Sequence, residues 1–175
     1  MVLTRSHHFD HAVALPDASW ALFFMAGVVA LPFSQVALLM VLAILIDAFT
    51  VTLGSVSSAC FSAAYPFLIA AYGLLWLMGR IARPWLVAGT LKLLSMAVLW
   101  AAVAVALTYS ITNASFYGLS GLFEALSWSH FSAQFWYYWP DYFYINMTYM
   151  LVALLIYRVS RSLTTHTDTA NSSLL

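Results

Sequence analysis

Apolar runs that follow one another with almost no charge between them limit what this chain can fold into more than any other feature. Only 7% of the residues are Asp, Glu, Lys or Arg, whereas soluble domains carry about 25%. Hydrophobic residues make up 64% of the chain, so the side chains cannot provide a hydrated surface. We therefore predict an all-α integral membrane protein that crosses the lipid bilayer several times.

Charge and cysteine content exclude several other classes of protein. The formal net charge is zero and the basic residues form no stripe, so there is no electrostatic basis for binding nucleic acid. Cys60 is the single cysteine, which excludes an internal disulfide and a Cys-x-x-Cys metal site. The sequence also lacks the P-loop, HExxH and GxSxG motifs.

Five stretches are apolar enough to be membrane-crossing helices, although the first is short. They cover residues 19–33, 36–53, 59–78, 87–109 and 142–157. Gly and Pro commonly interrupt helices, and their positions predict a tight turn at 31–35 and a basic loop at 79–84.

The whole chain is predicted to be a single membrane domain. Its parts are an external segment 1–17, four helices in 18–110, an external lid or extra helix in 111–141, a last helix 142–157 and a cytoplasmic tail 158–175. The segment 111–141 contains Glu124 and His130 among many aromatic residues, which suits the membrane–water interface. We interpret it as an aromatic lid that contains a helix; the alternative is a sixth span.

The basic residues predict which end of the helix bundle faces the cytoplasm. Lys and Arg are enriched in short cytoplasmic loops, and here they cluster at 80–92 and at 158–161. Both clusters face the cytoplasm only if the segment 111–141 begins and ends on the same, outer side of the membrane. This arrangement gives five spans with the N-terminus outside. A sixth span would place the two clusters on opposite sides of the membrane.

With this orientation, the residues able to carry chemistry gather at the outer end of the bundle. Asp47 lies in the second span, about 9 Å from its outer end. A carboxylate inside a bilayer is costly and normally faces the bundle or water. Asp47 is therefore expected either to serve a ligand or to pair with a neighbouring hydroxyl.

Cys60 begins the third span at the same outer level, and Tyr65 follows it. The small Ser and Ala residues around Cys60 leave room for a bulky ligand, and a thiolate is a strong ligand for soft metals. The alternative for Cys60 is a small buried side chain in the core.

Ala26 and Ala30 are small residues one helical turn apart. This spacing favours close packing of another helix, which could belong to the same bundle or to a partner protein.

The sequence resembles one family, the solitary cobalamin-specific S-components related to energy-coupling-factor (ECF) transporters, known as BtuM. The resemblance depends mainly on the spacing of His8, Asp47, Cys60 and Tyr65. It extends to the runs LPDASWALFFMAG, SACFSAAYPF, AAYGLLWLMGR and SITNASFYGLSG, and covers most of residues 7–157.

This resemblance implies a substrate-binding membrane subunit for cobalamin uptake across the bacterial inner membrane, with the corrin held at the periplasmic face. Cys60 would be the cobalt ligand and would assist removal of the upper cyanide ligand. The further substrate-binding residues would be His8, Asp47, Tyr65, Phe116 and Tyr117. Members of this family usually have six helices, and an ECF-type energising module could dock on the face of Ala26 and Ala30.

Two other functions are compatible with the sequence. The first is a non-transporting structural or assembly subunit of a membrane complex, in which Cys60 would be an ordinary core residue. The second is a membrane enzyme that acts on a lipid, with Asp47 and the region 124–130 as acid and base, although no residue spacing favours it.

Overall fold

The computed structural model describes residues 18–52, 62–88, 91–123 and 125–172. These residues form five helices and no strand: α1 (Ser19–Val28), α2 (Phe33–Thr52), α3 (Tyr65–Ala88), α4 (Leu91–Leu119) and α5 (Trp128–Ser172). Helices α2 to α5 are each long and apolar enough to cross a membrane, whereas α1 has only 10 residues. The described chain is therefore an all-helical, multi-pass membrane protein with four candidate spans, one fewer than the sequence predicts.

The basic loop predicted at 79–84 is wrong, because α3 continues through it to Ala88. The Gly79 backbone lies directly against Phe24 of α1, so this glycine serves a helix contact and does not end the helix. The Arg80 guanidinium lies 5.0 Å from the centre of the Trp76 ring, one turn earlier in α3, which stabilises this part of the helix. Pro84 is accommodated inside the helix.

The segment 111–141 differs from the predicted lid, because it consists of the end of α4, a short connection at 120–127 and the start of α5. It adds no sixth span among the described residues. Helix α4 continues to Leu119 because its polar side chains bond to its own backbone: Asn113 Nδ2 donates to the Tyr109 carbonyl at 3.1 Å and Ser115 Oγ to the Thr112 carbonyl at 3.1 Å. Such bonds reduce the cost of placing polar residues in a membrane helix.

Helices α1 and α3 approach each other until their backbones touch. A Cβ atom on Gly27 would overlap with the Trp76 carbonyl oxygen, and one on Gly79 would overlap with the Phe24 carbonyl oxygen. Only glycine permits this approach. One turn further along the contact, Phe23 and Tyr72 stack with ring centres 4.3 Å apart, and both are buried.

The turn between α1 and α2 lies at 29–32, earlier than the predicted 31–35. The Leu31 N–H donates to the Ala26 carbonyl and the Ala30 N–H donates to the Gly27 carbonyl, both at 2.9 Å. These bonds, with Ala30 at φ 59°, form a Schellman helix end. Helix α1 ends at Val28, so Ala30 lies in the turn, and Ala26 is 4% exposed. Ala26 therefore packs inside the same bundle, one of the two alternatives for this pair, and docking of a partner protein here stays a prediction.

The helices alternate between two ends of the bundle. Trp20 and Tyr65, at the starts of α1 and α3, line one cavity, so these two helices are parallel. At the other end, the Arg158 guanidinium of α5 donates to the Leu86 carbonyl of α3 at 3.1 Å. The arginine-bearing ends of α3 and α5 therefore lie together, about 31 Å along α3 from Tyr65, which matches the thickness of a bilayer core.

Helix α2 touches the rest of the bundle along one narrow line. Its buried residues are Val36, Ala43 and Thr50, which are spaced seven apart and so lie on one face. Phe33, Leu38, Leu45 and Phe49 each have more than half of their side chain exposed. Most of the α2 surface therefore suits contact with lipid.

The glycine contact between α1 and α3 predicts a specific loss of stability. We expect Gly79→Ala to lower the free energy of unfolding by about 1–3 kcal/mol, because the new methyl group forces two backbones apart. Thermal unfolding of the purified protein in detergent measures this change.

Gly118→Ala is the matched control, because Gly118 is also helical and has open space around its Cα. This substitution should leave the protein as stable or stabilise it by up to about 1 kcal/mol. Equal effects of the two alanines would show that the backbones do not touch at Gly79.

Candidate functional site

A cavity of about 360 Å³, here called the Tyr65 cavity, lies at the end of the bundle opposite the arginines. Four helices and the turn before α3 contribute its walls. The lining residues are Trp20, Ser62, Ala64, Tyr65, Leu68, Tyr72, Thr112, Asn113, Ser115, Phe116 and Tyr142. Its volume lies at the lower end of the range for small-molecule sites, which are typically aromatic or apolar with a few polar groups.

The walls combine aromatic rings with neutral polar groups. The Thr112 hydroxyl donates to the Thr108 carbonyl at 2.9 Å and Ser115 bonds within α4 in the same way, so both hydroxyls retain acceptor capacity toward the cavity. Asn113 Nδ2 donates to a backbone carbonyl of α4, so Oδ1 of the same side chain can accept a hydrogen bond from a ligand. No charged side chain lies among the described lining residues.

Asp47 of α2 is joined to this cavity through Tyr65. The Tyr65 hydroxyl donates to Asp47 Oδ2 at 2.8 Å, a short hydrogen bond between two helices. Thr50, on the next turn of α2, is buried and its hydroxyl donates to the Asp47 backbone carbonyl at 2.8 Å. Asp47 therefore faces the bundle, as the sequence predicts for a carboxylate in a span.

Four of the predicted binding residues have separate positions around this site. Tyr65 and Phe116 line the cavity directly. Tyr117 lies in an adjoining cavity between α4 and α5. Asp47 is not a lining residue, so its effect on a ligand would pass through the Tyr65 hydroxyl.

His8 and Cys60 lie outside the described residues, and so does Glu124. Their predicted roles therefore stay predictions. Among the residues that the structure describes, no three His, Cys, Asp or Glu side chains are close enough together to hold a metal ion.

Sequence reasoning missed seven lining residues: Trp20, Leu68, Tyr72, Thr112, Asn113, Ser115 and Tyr142. Asn113 could have been found, because an amide inside an apolar helix is unusual. The three aromatic residues could not, since aromatic side chains are frequent along the whole chain. Only the pairing of helices places Trp20 and Tyr142 with their rings 6.2 Å apart at one cavity.

Comparison with known proteins provides no identification. No model of a known protein family matches the chain, and no characterised protein matches it significantly.

The bond between Tyr65 and Asp47 predicts an energetic coupling of α2 to α3. We expect the effects of Tyr65→Phe and Asp47→Ala on the free energy of unfolding to be non-additive by about 1 kcal/mol, because either change alone removes the hydrogen bond between these two side chains. Thermal unfolding of the four proteins in detergent gives this coupling.

Thr52→Val combined with Tyr65→Phe is the control pair. Thr52 lies in the same helix as Asp47, but its exposed hydroxyl bonds to the Phe49 carbonyl. These two effects should be additive. Additivity for the Asp47 pair as well would contradict the bond.

Proposed function

We propose that this chain is a substrate-binding membrane subunit for cobalamin uptake across the bacterial inner membrane, of the ECF S-component type. The observation that carries the proposal is the Tyr65 cavity, at the end of the bundle opposite the arginine cluster and braced by Asp47. A cavity of this size, lined by aromatic rings and a few polar groups, is typical of small-molecule sites.

The basic residues support an outward-facing cavity. Arg80 and Arg83 lie near the end of α3, and Arg158 of α5 bonds to Leu86 at the same end. The positive-inside rule assigns this end to the cytoplasm. The Tyr65 cavity would then open to the periplasm, where an uptake protein must bind its substrate.

The chemistry of the walls suits part of a cobalamin molecule. Cobalamin is large and amphipathic, with amide side chains around an apolar corrin, and the cavity offers aromatic rings beside hydroxyl and amide groups. Because 360 Å³ holds only part of so large a molecule, the rest would extend through the opening. A neutral polar wall suits a substrate whose periphery is formed by neutral amides.

Cys60 is the proposed ligand of the substrate's cobalt. It is two residues before Ser62, which lines the cavity, so covalent geometry keeps their Cα atoms within about 7.6 Å. The thiolate would donate an electron pair to cobalt in place of a ligand that departs with its own pair, and a cyanide released from the cobalt would likewise leave as cyanide ion. This ligand exchange transfers no electron. Tyr65 would contact the substrate's periphery, and Asp47 would act through its bond to the Tyr65 hydroxyl.

An ECF-type energising module as a partner stays a prediction. The face first assigned to it contains Ala26, which is buried in the helix bundle.

The cobalt ligand can be tested by absorption spectroscopy. Purified protein incubated with cyanocobalamin should retain the corrinoid through gel filtration with a shifted visible spectrum, because a thiolate changes the ligand field of cobalt. Cys60→Ala should abolish the shift.

Ser110→Ala is the control, because Ser110 is exposed and its hydroxyl bonds to the Ala106 carbonyl within α4. It should give the spectrum of the unmodified protein. A shift that persists in Cys60→Ala would remove Cys60 from the site, and a protein that retains no corrinoid would refute the proposed function.

The proposed orientation predicts which positions react from the periplasm. In a Cys60→Ala background, Ala125→Cys in the exposed connection between α4 and α5 should react with a membrane-impermeant maleimide added to intact spheroplasts. Leu163→Cys near the arginine-bearing end should react only after permeabilisation, and its side chain is 63% exposed, so burial would not protect it. The reverse labelling pattern would invert the protein and exclude periplasmic uptake through this cavity.

A further inference from the structure

A second cavity of about 210 Å³, here called the aromatic cavity, lies between the ends of α4 and α5 and the connection that joins them. Most of its walls are aromatic rings, and the other two lining side chains are the amides of Asn113 and Gln134. None of its described lining residues is charged. Phe116 and Tyr117 are the two of its lining residues that the resemblance assigns to substrate binding.

Contacts among the rings define the shape of the aromatic cavity. Tyr117 lies 4.6 Å from Phe123 and 5.2 Å from Phe131, with the ring planes inclined at 42° and 46°. Its hydroxyl accepts a bond from the Ser127 N–H at 2.9 Å and donates to the Ser127 carbonyl at 3.0 Å. These two bonds hold the connection between α4 and α5 against the Tyr117 side of the cavity.

The two cavities share a wall. Asn113, Phe116 and Tyr142 line both the Tyr65 cavity and the aromatic cavity. A molecule bound in the first could therefore place an appended group in the second, with only these side chains between them.

We propose that the aromatic cavity is a separate subsite for a flat, nitrogen-containing aromatic ring attached to the molecule held in the Tyr65 cavity. Aromatic walls bind flat rings by stacking and edge-to-face contact. The amides of Asn113 and Gln134 supply neutral donors and acceptors for ring nitrogens. Gln134 contacts His130 at 3.4 Å, a long bond that a ligand could replace.

This inference deepens the proposed function and rests on it for the identity of the ring. The group of this kind in cobalamin is the benzimidazole base of its nucleotide. The base would then contribute to affinity and to selection among corrinoids. Corrinoids that lack it would bind through the Tyr65 cavity alone.

The test compares cobalamin with cobinamide, which has the same corrin but no nucleotide base. Phe131→Ala alters a residue that lines the aromatic cavity and not the Tyr65 cavity. Purified full-length Phe131→Ala protein is titrated with each corrinoid while tryptophan fluorescence is recorded. Its affinity for cobalamin should be roughly 10-fold lower than that of the unmodified protein, because one stacking ring is lost. Cobinamide affinity should change less than about twofold.

Phe131→Leu, which keeps apolar volume but removes the ring, guards against failure of the alanine variant to fold and should give the same selectivity. Trp136→Ala is the matched control, because Trp136 is 65% exposed and lines neither cavity. It should affect neither corrinoid. Equal losses for both corrinoids in the Phe131 variants, or no loss for either, would overturn the subsite.

A second measurement separates failure of the subsite from failure of the proposed function. Free 5,6-dimethylbenzimidazole should bind the unmodified protein in saturation-transfer NMR and lose its signal in Phe131→Leu. If neither corrinoid binds, the cobalamin function is refuted. The NMR signal of free 5,6-dimethylbenzimidazole then tests the subsite separately: binding supports a site for flat heterocycles, and no binding overturns the subsite. Tetramethylammonium binding in place of the base would instead identify the rings as a cage for cations and overturn the proposal.

Discussion

The backbone contact between α1 and α3 at Gly27 and Gly79 determines where the other parts of the bundle lie. It fixes α1 parallel to α3, so that Trp20 reaches the level of Tyr65 at one end. At the other end, Trp76 Nε1 donates to the Leu31 carbonyl at 3.2 Å and so holds the turn that sends α2 back across the bundle. Without this close approach, the short helix α1 would have too little surface to be held in place, because ten residues extend only about 15 Å.

The two ends of the bundle differ in the polar groups that they carry. Neutral polar side chains with spare acceptor capacity, such as Thr112 and Asn113, collect at the Tyr65 cavity, whereas the opposite end carries arginines, of which Arg158 bonds to the Leu86 carbonyl. In a membrane, hydrogen-bonding capacity that is left unused is costly. A protein that keeps such capacity at one end is organised to offer it to water or to a ligand, and this is the physical basis of the proposed uptake function.

Helix α2 has a different relation to the site from the other four helices. It contacts the bundle along Val36, Ala43 and Thr50, and it is joined near its end by the bond between Asp47 and Tyr65. A helix held by so narrow a contact depends more on a single polar bond than a helix buried on two sides. A ligand that contacts Tyr65 would therefore alter the bond that holds α2. A shift of α2 would in turn change the orientation of the Tyr65 hydroxyl.

The sequence by itself determined the membrane class, the existence of four long apolar helices, the shared end of the two basic clusters and the inward direction of Asp47. Hydropathy and charge encode these features locally, since lipid acts on every residue in the same way. The sequence underestimated the lengths of these helices, most of all the last, which runs from Trp128 to Ser172 and not only over 142–157. The sequence could not show that 79–84 and 111–119 are helical, because Gly79 and Asn113 are disfavoured in helices until a neighbouring backbone or a helix carbonyl accommodates them. Only the tertiary structure decided which aromatic rings surround a cavity and which face lipid, because that choice depends on how helices distant in sequence pack against each other.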